Sequence, residues 1–156
     1  MRVGHGYDAH TFIEGKPLVL GGITIPHNKG LKAHSDGDAV IHSLCDAILG
    51  AAAMGDIGTY FPDTDDKYKN IDSRLLLRNI IIKIKEKGYK IGNADITILA
   101  QAPRLLPYVK DMRQILSEDM NISIDDVNVK ATTTEGMGFV GREEGICVYA
   151  NIILEK

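Results

Sequence analysis

All five histidines, at positions 5, 10, 27, 34 and 42, stand in the first 42 of 156 residues. Within that cluster Asp8 and His10 are two apart, a spacing that in extended backbone turns both side chains to one face. His42 would come from the first turns of a helix opening near Asp38, completing a set of two imidazoles and one carboxylate. Such a set holds a divalent ion and leaves a fourth tetrahedral position open, as a catalytic zinc requires. The same residues read equally as a turn-capping aspartate, a loop histidine and a satisfied helix histidine. Asp38 and Asp46, four residues either side of His42, are acceptors that fix its tautomer or else a solvated stripe.

Three further segments carry possible chemistry. His34-Ser35-Asp36-Gly37-Asp38 opens the helix, where free N–H groups favour an anion approaching from the His34 side; alternatively Ser35 is simply the N-cap. Asp56, Gly58, Asp63, Asp65 and Asp66 crowd a turn-rich stretch suited to sugar hydroxyls, to a hard cation, or to plain surface solvation. Thr132-Thr133-Thr134-Glu135 offers hydroxyls to phosphate oxygens and a carboxylate to a Mg²⁺ or Mn²⁺ that bridges them, or is a β-branched strand end. Gly136 to Gly141 matches GxGxxG, but a β-rich run follows it, so the helix of a dinucleotide site is missing. No nucleophile elbow, Walker A or C-x-x-C occurs.

The elements that must position these groups read as follows. Short strands at Arg2 to Gly4 and at Leu18 to Ile25 flank a loop holding Asp8 and His10. Ile41, Leu44, Cys45, Ile48 and Ala52 keep helical spacing, with Ser35 as cap. A second helix runs from Ser73 to Lys87 between Asp72 and Gly88, and a third from Pro107 to about Met120. Strands are expected at Ala94 to Ile98, Val127 to Thr133 and Ile146 to Leu154. The order implies an α+β fold, a mixed sheet with three helices on one face, in a single domain over 1–156.

Composition sets the outer bounds. The chain is 44% apolar and 25% charged, as in a folded soluble domain. Eighteen basic against 21 acidic residues, net charge −3, argue against a nucleic-acid partner. Two cysteines are too few for a disulfide framework. No leader and no apolar run of membrane length are visible, so the expected location is the cytoplasm, and the Asn121 glycosylation pattern is accidental.

Asp8-Ala9-His10, His34 to Asp38 with His42, Gly55 to Gly58 through Phe61-Pro62-Asp63, Ala100 to Pro103 and Thr132 to Glu135 together resemble the 2-C-methyl-D-erythritol 2,4-cyclodiphosphate synthases. The likeness runs from Arg2 to about Ile152. It implies conversion of 4-diphosphocytidyl-2-C-methyl-D-erythritol 2-phosphate to the cyclic diphosphate with release of CMP, in a homotrimer whose active sites lie between subunits. By that resemblance Asp8, His10 and His42 hold zinc, Glu135 helps hold Mg²⁺ or Mn²⁺ on the diphosphate, and His34 and Thr133 stabilise the transition state. Asp56, Ile57 and Gly58 correspond to ribose contacts. Ser35 and Asp63 to Asp65 correspond to methylerythritol phosphate contacts, and Ala100 to Leu106, with Pro103, Arg104 and Leu105, to the cytosine pocket. Phe61, Ala131, Thr132 and Thr134 are further substrate-binding positions by the same resemblance. Phe139 and Arg142 resemble residues near the threefold axis, where an isoprenoid phosphate is a further expected ligand.

Two positions depart from the pattern: Arg104 stands where many relatives have Lys, and Gly136 where some do. Some members are fused to a cytidylyltransferase, for which 156 residues leave no room. A zinc hydrolase of the same nucleotide and a non-catalytic nucleotide sensor are the alternatives.

Overall fold

The strand expected at Arg2 to Gly4 runs on unbroken to Glu14, so Asp8 and His10 lie in a strand and not in a loop. The computed structural model describes residues 1–156. In chain order the elements are β1 (Arg2–Glu14), β2 (Leu18–Leu20), β3 (Ile23–Ile25), β4 (Lys29–Leu31), α1 (Ala39–Ala51), α2 (Ile57–Tyr60), α3 (Ser73–Glu86), β5 (Lys90–Leu99), α4 (Val109–Met120), β6 (Val127–Thr132), α5 (Gly138–Gly141) and β7 (Gly145–Glu155). Three helices are long, as expected. The one-turn α2 and α5 arise where the sequence predicts only loop, α2 in the acidic stretch and α5 in the glycine pattern. The segment Leu18 to Ile25 is a hairpin of two short strands, because Gly21 and Gly22 both have positive φ and form its two-residue turn.

Five strands form one mixed sheet in the order β4-β1-β7-β5-β6, antiparallel except for the parallel β5–β6 pair. Its inner face carries Ile146, Val148, Ala150, Ile152 and Leu154 of β7 and Ala94, Ile96 and Ile98 of β5, all buried. The long helices cover that face: α1 lies on β1 and β7, α4 on β6, and α3 packs on both helices. The outer face leaves Val3, Tyr7 and Tyr149 exposed.

On β1 the inward positions are Gly4, Gly6, Asp8, His10 and Phe12, and only Phe12, toward the strand's far end, brings an apolar side chain. The glycines are there because the α1 backbone comes directly against the strand. A Cβ at Gly4 would stand 1.9 Å from the Ala47 carbonyl oxygen, and one at Gly6 1.8 Å from that of Ser43. Helix α1 is apolar almost all round, which suits a helix clamped between the sheet and α3.

The N-cap of α1 is Asp38, not Ser35. Its fully buried carboxylate accepts from Ile41 N (3.0 Å), Gly21 N (2.9 Å) and Gly22 N (2.7 Å), fastening the hairpin turn to the helix start. A hydroxyl could not accept all three, which is why the carboxylate takes the position. Burial and the charge of Asp36 push Asp38 above its ordinary carboxyl value, against the lowering effect of those three donors.

Gly6→Ala is expected to cost about 3 kcal/mol or more, since the new methyl must force α1 off β1. Gly50→Ala, in the same helix with nothing near the added Cβ, is expected to stabilise by roughly 0.5–1 kcal/mol. Urea unfolding of both variants checks the contrast; equal effects would contradict it.

Candidate active site

The contact between β1 and α1 brings His42 over Asp8 and His10. His10 Nε2 lies 2.8 Å from Asp8 Oδ2, His42 Nδ1 lies 3.1 Å from the same oxygen, and the two ring nitrogens are 3.2 Å apart. Tetrahedral ligands about 2.0–2.1 Å from a zinc ion stand roughly 3.3–3.4 Å from one another, so the triad is close to ready-made for one. The outer nitrogens are engaged as a metal site requires. His10 Nδ1 is 3.0 Å from the Lys32 carbonyl, which can only accept, so the proton is on Nδ1 and Nε2 faces the triad with its lone pair. Lone pairs converging at these distances need protons or a cation between them.

Electrostatics point the same way. Burial alone would raise the Asp8 carboxyl, but hydrogen bonds with His10 and His42, and their charge, hold it down at about 2. Burial alone would lower the His42 imidazole, but its hydrogen bond to Asp8 and the charges of Asp8, Asp38 and Asp36 raise it above 6.5. A carboxylate that stays ionised beside a ring whose charged form is favoured makes a site suited to positive charge.

The triad opens into a cavity of about 500 Å³ that His34, Ser35, Ile57, Gly58, Phe61 and Asp63 also line. No Lys or Arg lines it. His34 Nε2 is 3.3 Å from the Asp65 carbonyl oxygen. The carboxylates of Asp56 and Asp65 lie outside the lining and act as local caps: Asp56 accepts from Thr59 N (2.8 Å) and Asp65 from Lys67 N (3.1 Å).

A second cavity, about 580 Å³, is lined by Ala100 through Leu106, including Pro103, Arg104 and Leu105, with Val129 to Thr133 opposite, among them Ala131 and Thr132. Thr133 Oγ1 donates to Glu135 Oε1 (3.2 Å), while the Thr134 hydroxyl is committed to the Met137 carbonyl. Glu135 has a positive φ, and Gly136 N donates to Gln101 Oε1 (3.3 Å), tying the Thr-rich turn to the cavity. Phe139 and Arg142 lie beyond both cavities at α5, and the Arg142 charge is paired with Glu144 at 2.8 Å. Most of the sequence-predicted residues therefore gather into two groups on one chain, while Asp56, Asp65, Thr134, Glu135, Phe139 and Arg142 line neither cavity, and no residue lines both.

Sequence reasoning missed three groups. Asp46 does not touch His42; it accepts from Ile57 N (2.7 Å) and so fixes the turn that carries Gly58. Burial raises its carboxyl, despite that donor. Ser73 Oγ sits 2.9 Å from His42 Nε2, and Asp36 takes the Ser73 hydroxyl and amide protons. Ser73 stands beside the better cap Asp72, which was the one signal available, and it pointed to a helix start only.

The two perturbed groups fix a pH dependence for the metal-free protein. His42, raised on folding, contributes stability that is whole below about pH 6.5 and fades as pH rises through its folded value. Asp8, lowered on folding, contributes stability that is whole above about pH 4 and fades as pH falls toward 2. The stability difference between wild type and His42→Gln, measured by urea unfolding with chelator present, should peak between about pH 4 and 6.5. A difference that grows above pH 7 would contradict the pairing.

A profile described as the YgbB family matches residues 1–155. The curated 2-C-methyl-D-erythritol 2,4-cyclodiphosphate synthase of Azotobacter vinelandii is 57% identical over 154 residues, 99% of this chain and 98% of that protein. That of Pseudomonas aeruginosa PAO1 is 58% identical over the same span of 154 residues. A solved 2C-methyl-D-erythritol-2,4-cyclodiphosphate synthase in its CDP-bound form superposes with a TM-score of 0.90 at 36% identity, covering 99% of this chain and 100% of that one. The bifunctional IspDF of Campylobacter jejuni superposes at 0.95 with 46% identity over 98% of this chain, which spans 42% of that protein. With profile, curated relatives and solved structures agreeing along nearly the whole chain, this protein belongs to the YgbB family, among the 2-C-methyl-D-erythritol 2,4-cyclodiphosphate synthases.

Proposed function

We infer that this chain converts 4-diphosphocytidyl-2-C-methyl-D-erythritol 2-phosphate to 2-C-methyl-D-erythritol 2,4-cyclodiphosphate and CMP. The observation that carries the reading is the triad of Asp8, His10 and His42 at the mouth of a cavity, in a chain 57% identical to a curated synthase. An oxygen of the substrate's 2-phosphate attacks the β-phosphorus. The bond from that phosphorus to the bridging oxygen breaks, and CMP leaves with the electron pair. The nucleophile is already ionised near neutral pH, so the chain must supply ring-closing geometry and relief of negative charge, not a strong base.

Asp8, His10 and His42 would hold zinc, and Glu135 would share in holding Mg²⁺ or Mn²⁺. Such ions supply Lewis-acid polarisation of phosphate oxygens. The acidic, Lys- and Arg-free lining of the first cavity supports that division of labour, because a polyphosphate has no protein cation to meet there. His34 and Thr133 are assigned to the developing charge on the transferring phosphoryl group. Ser35, Phe61, Asp63 and Asp65 are assigned to the methylerythritol phosphate, Asp56 with Ile57 and Gly58 to the ribose. The Ala100 to Leu106 wall takes the cytosine, Arg104 with it, and Ala131, Thr132 and Thr134 flank the diphosphate.

One chain holds most of these groups in two cavities with no shared lining residue, which supports the reading that a complete site pairs one cavity with the second cavity of a neighbouring copy. That pairing, and the exposed Val3, Tyr7 and Tyr149 on the uncovered sheet face, support a homotrimer of single-domain chains with active sites between subunits. Phe139 and Arg142 would then lie toward the axis, where an isoprenoid phosphate is the proposed ligand. The reaction belongs to isoprenoid precursor synthesis, and the cytoplasm is its proposed location; no helix is long and apolar enough to cross a membrane.

Phosphorus NMR of the purified protein with the cytidylyl substrate, Zn²⁺ and Mg²⁺ tests this directly. Two coupled cyclic-diphosphate resonances should grow together with CMP and vanish in a chelator-treated control. CMP with a linear bisphosphate would mean a hydrolase, and unchanged substrate would mean a binding protein.

A further inference from the structure

His42 is held at both ring nitrogens, and two serines compete for the outer one: Ser73 Oγ at 2.9 Å and Ser35 Oγ at 3.1 Å from Nε2. Their circumstances differ. Ser73 is fully buried and lines neither of the two cavities described, and its hydroxyl proton goes to Asp36 Oδ1, while its amide donates to Asp36 Oδ2 at 3.0 Å. Asp36 is itself fixed, since its amide donates to the Ile71 carbonyl (3.1 Å) and its Oδ1 also accepts from Asp38 N (3.1 Å). A hydroxyl has one proton. With that proton spent on the carboxylate, Ser73 can only accept from His42. Ser35 is different: its Oγ accepts from Gly37 N (3.3 Å), it lines the first cavity, and no carboxylate claims its proton.

We propose that Ser73, locked by Asp36, is the positioning residue that sets the His42 tautomer, while the hydroxyl proton of Ser35 is left for a ligand oxygen in the cavity. Ser73 takes the Nε2 proton. Nδ1 is then left with its lone pair toward Asp8 and His10. The arrangement mirrors the one at His10, where the Lys32 carbonyl takes the Nδ1 proton and leaves Nε2 bare. Once the His42 ring is neutral, both rings thus present a lone pair to the same point. The inference rests on the reading of the triad as a metal centre, but its central observable does not need the ion.

The test is nitrogen NMR of histidine-labelled, metal-free protein, titrated upward until the His42 shifts themselves show a neutral ring. His42 of the wild type should be the Nε2–H tautomer, and it should remain so in Ser35→Ala. In Ser73→Ala, and separately in Asp36→Asn, the signature should turn to a tautomer mixture. Zinc affinity, read by chelator competition, should fall 10- to 100-fold in the Ser73 and Asp36 variants and less than about threefold in Ser35→Ala. An Nδ1–H tautomer in the wild type would overturn the proposal, as would a larger tautomer and affinity change from Ser35→Ala than from Ser73→Ala. Thermal melts identify a variant that is merely unfolded, and the wild-type tautomer decides the matter without any substitution. Failure of the wild type to bind zinc, with its Nε2–H tautomer intact, would strike the metal reading and not this one.

Discussion

The close approach of helix α1 to strand β1 is the constraint from which the site follows. A helix backbone can lie that near a strand only where the strand has no side chains on that face, and Gly4 and Gly6 supply the space opposite Ala47 and Ser43. The contact at Ser43 is one residue from His42. Two positions farther along the same face of β1 come Asp8 and then His10, so the register that seats the helix also brings the three donor atoms together. Asp38 fixes the helix along its axis by tying its first turn to the Gly21-Gly22 hairpin. The site is therefore built on a helix and a strand, the elements least able to drift, and loops supply only its walls.

Charge follows the same logic. A chain of net charge −3 that handles a substrate with several phosphates has to concentrate positive charge locally. The first cavity does so with no Lys or Arg in its wall. Instead, Asp8 is held ionised, and the His42 imidazole is raised above its ordinary value by the carboxylates around it, so the site favours positive charge. Cations on side chains belong to the second cavity, through Arg104 and Lys130, though Lys130 also pairs with Asp95 across the sheet. On the proposed assignment, dividing the substrate between a metal-dependent half and a half with fixed cations would explain how an acidic protein serves this chemistry.

Much of this was legible in the sequence, and what was not has identifiable causes. The long helices and the β5, β6 and β7 strands were readable because apolar side chains fill the core with regular period. Strand β1 escaped beyond Gly4 because its inner face holds glycines and metal-type residues, so the alternation that marks a half-buried strand is absent where helix backbone and cavity take the place of side chains. Ser35 and Asp38 are both good caps by residue type. The choice fell to Asp38 only because two hairpin amides, 16 and 17 residues upstream, also needed an acceptor. The roles of Ser73 and Asp36 depend on α3 meeting the α1 entry loop, a tertiary contact that no local pattern records. Likewise the candidate site residues were visible as types, but not the separation of the two cavities that hold most of them.

The central claim is that the α1–β1 contact delivers Asp8 Oδ2, His10 Nε2 and His42 Nδ1 to one metal ion. Diffraction from crystals of the zinc-loaded protein, recorded on both sides of the zinc absorption edge, measures this most directly. The account predicts one anomalous peak per chain, about 2.0–2.2 Å from each of those three atoms. A peak elsewhere, or one bound through His42 Nε2, would contradict it.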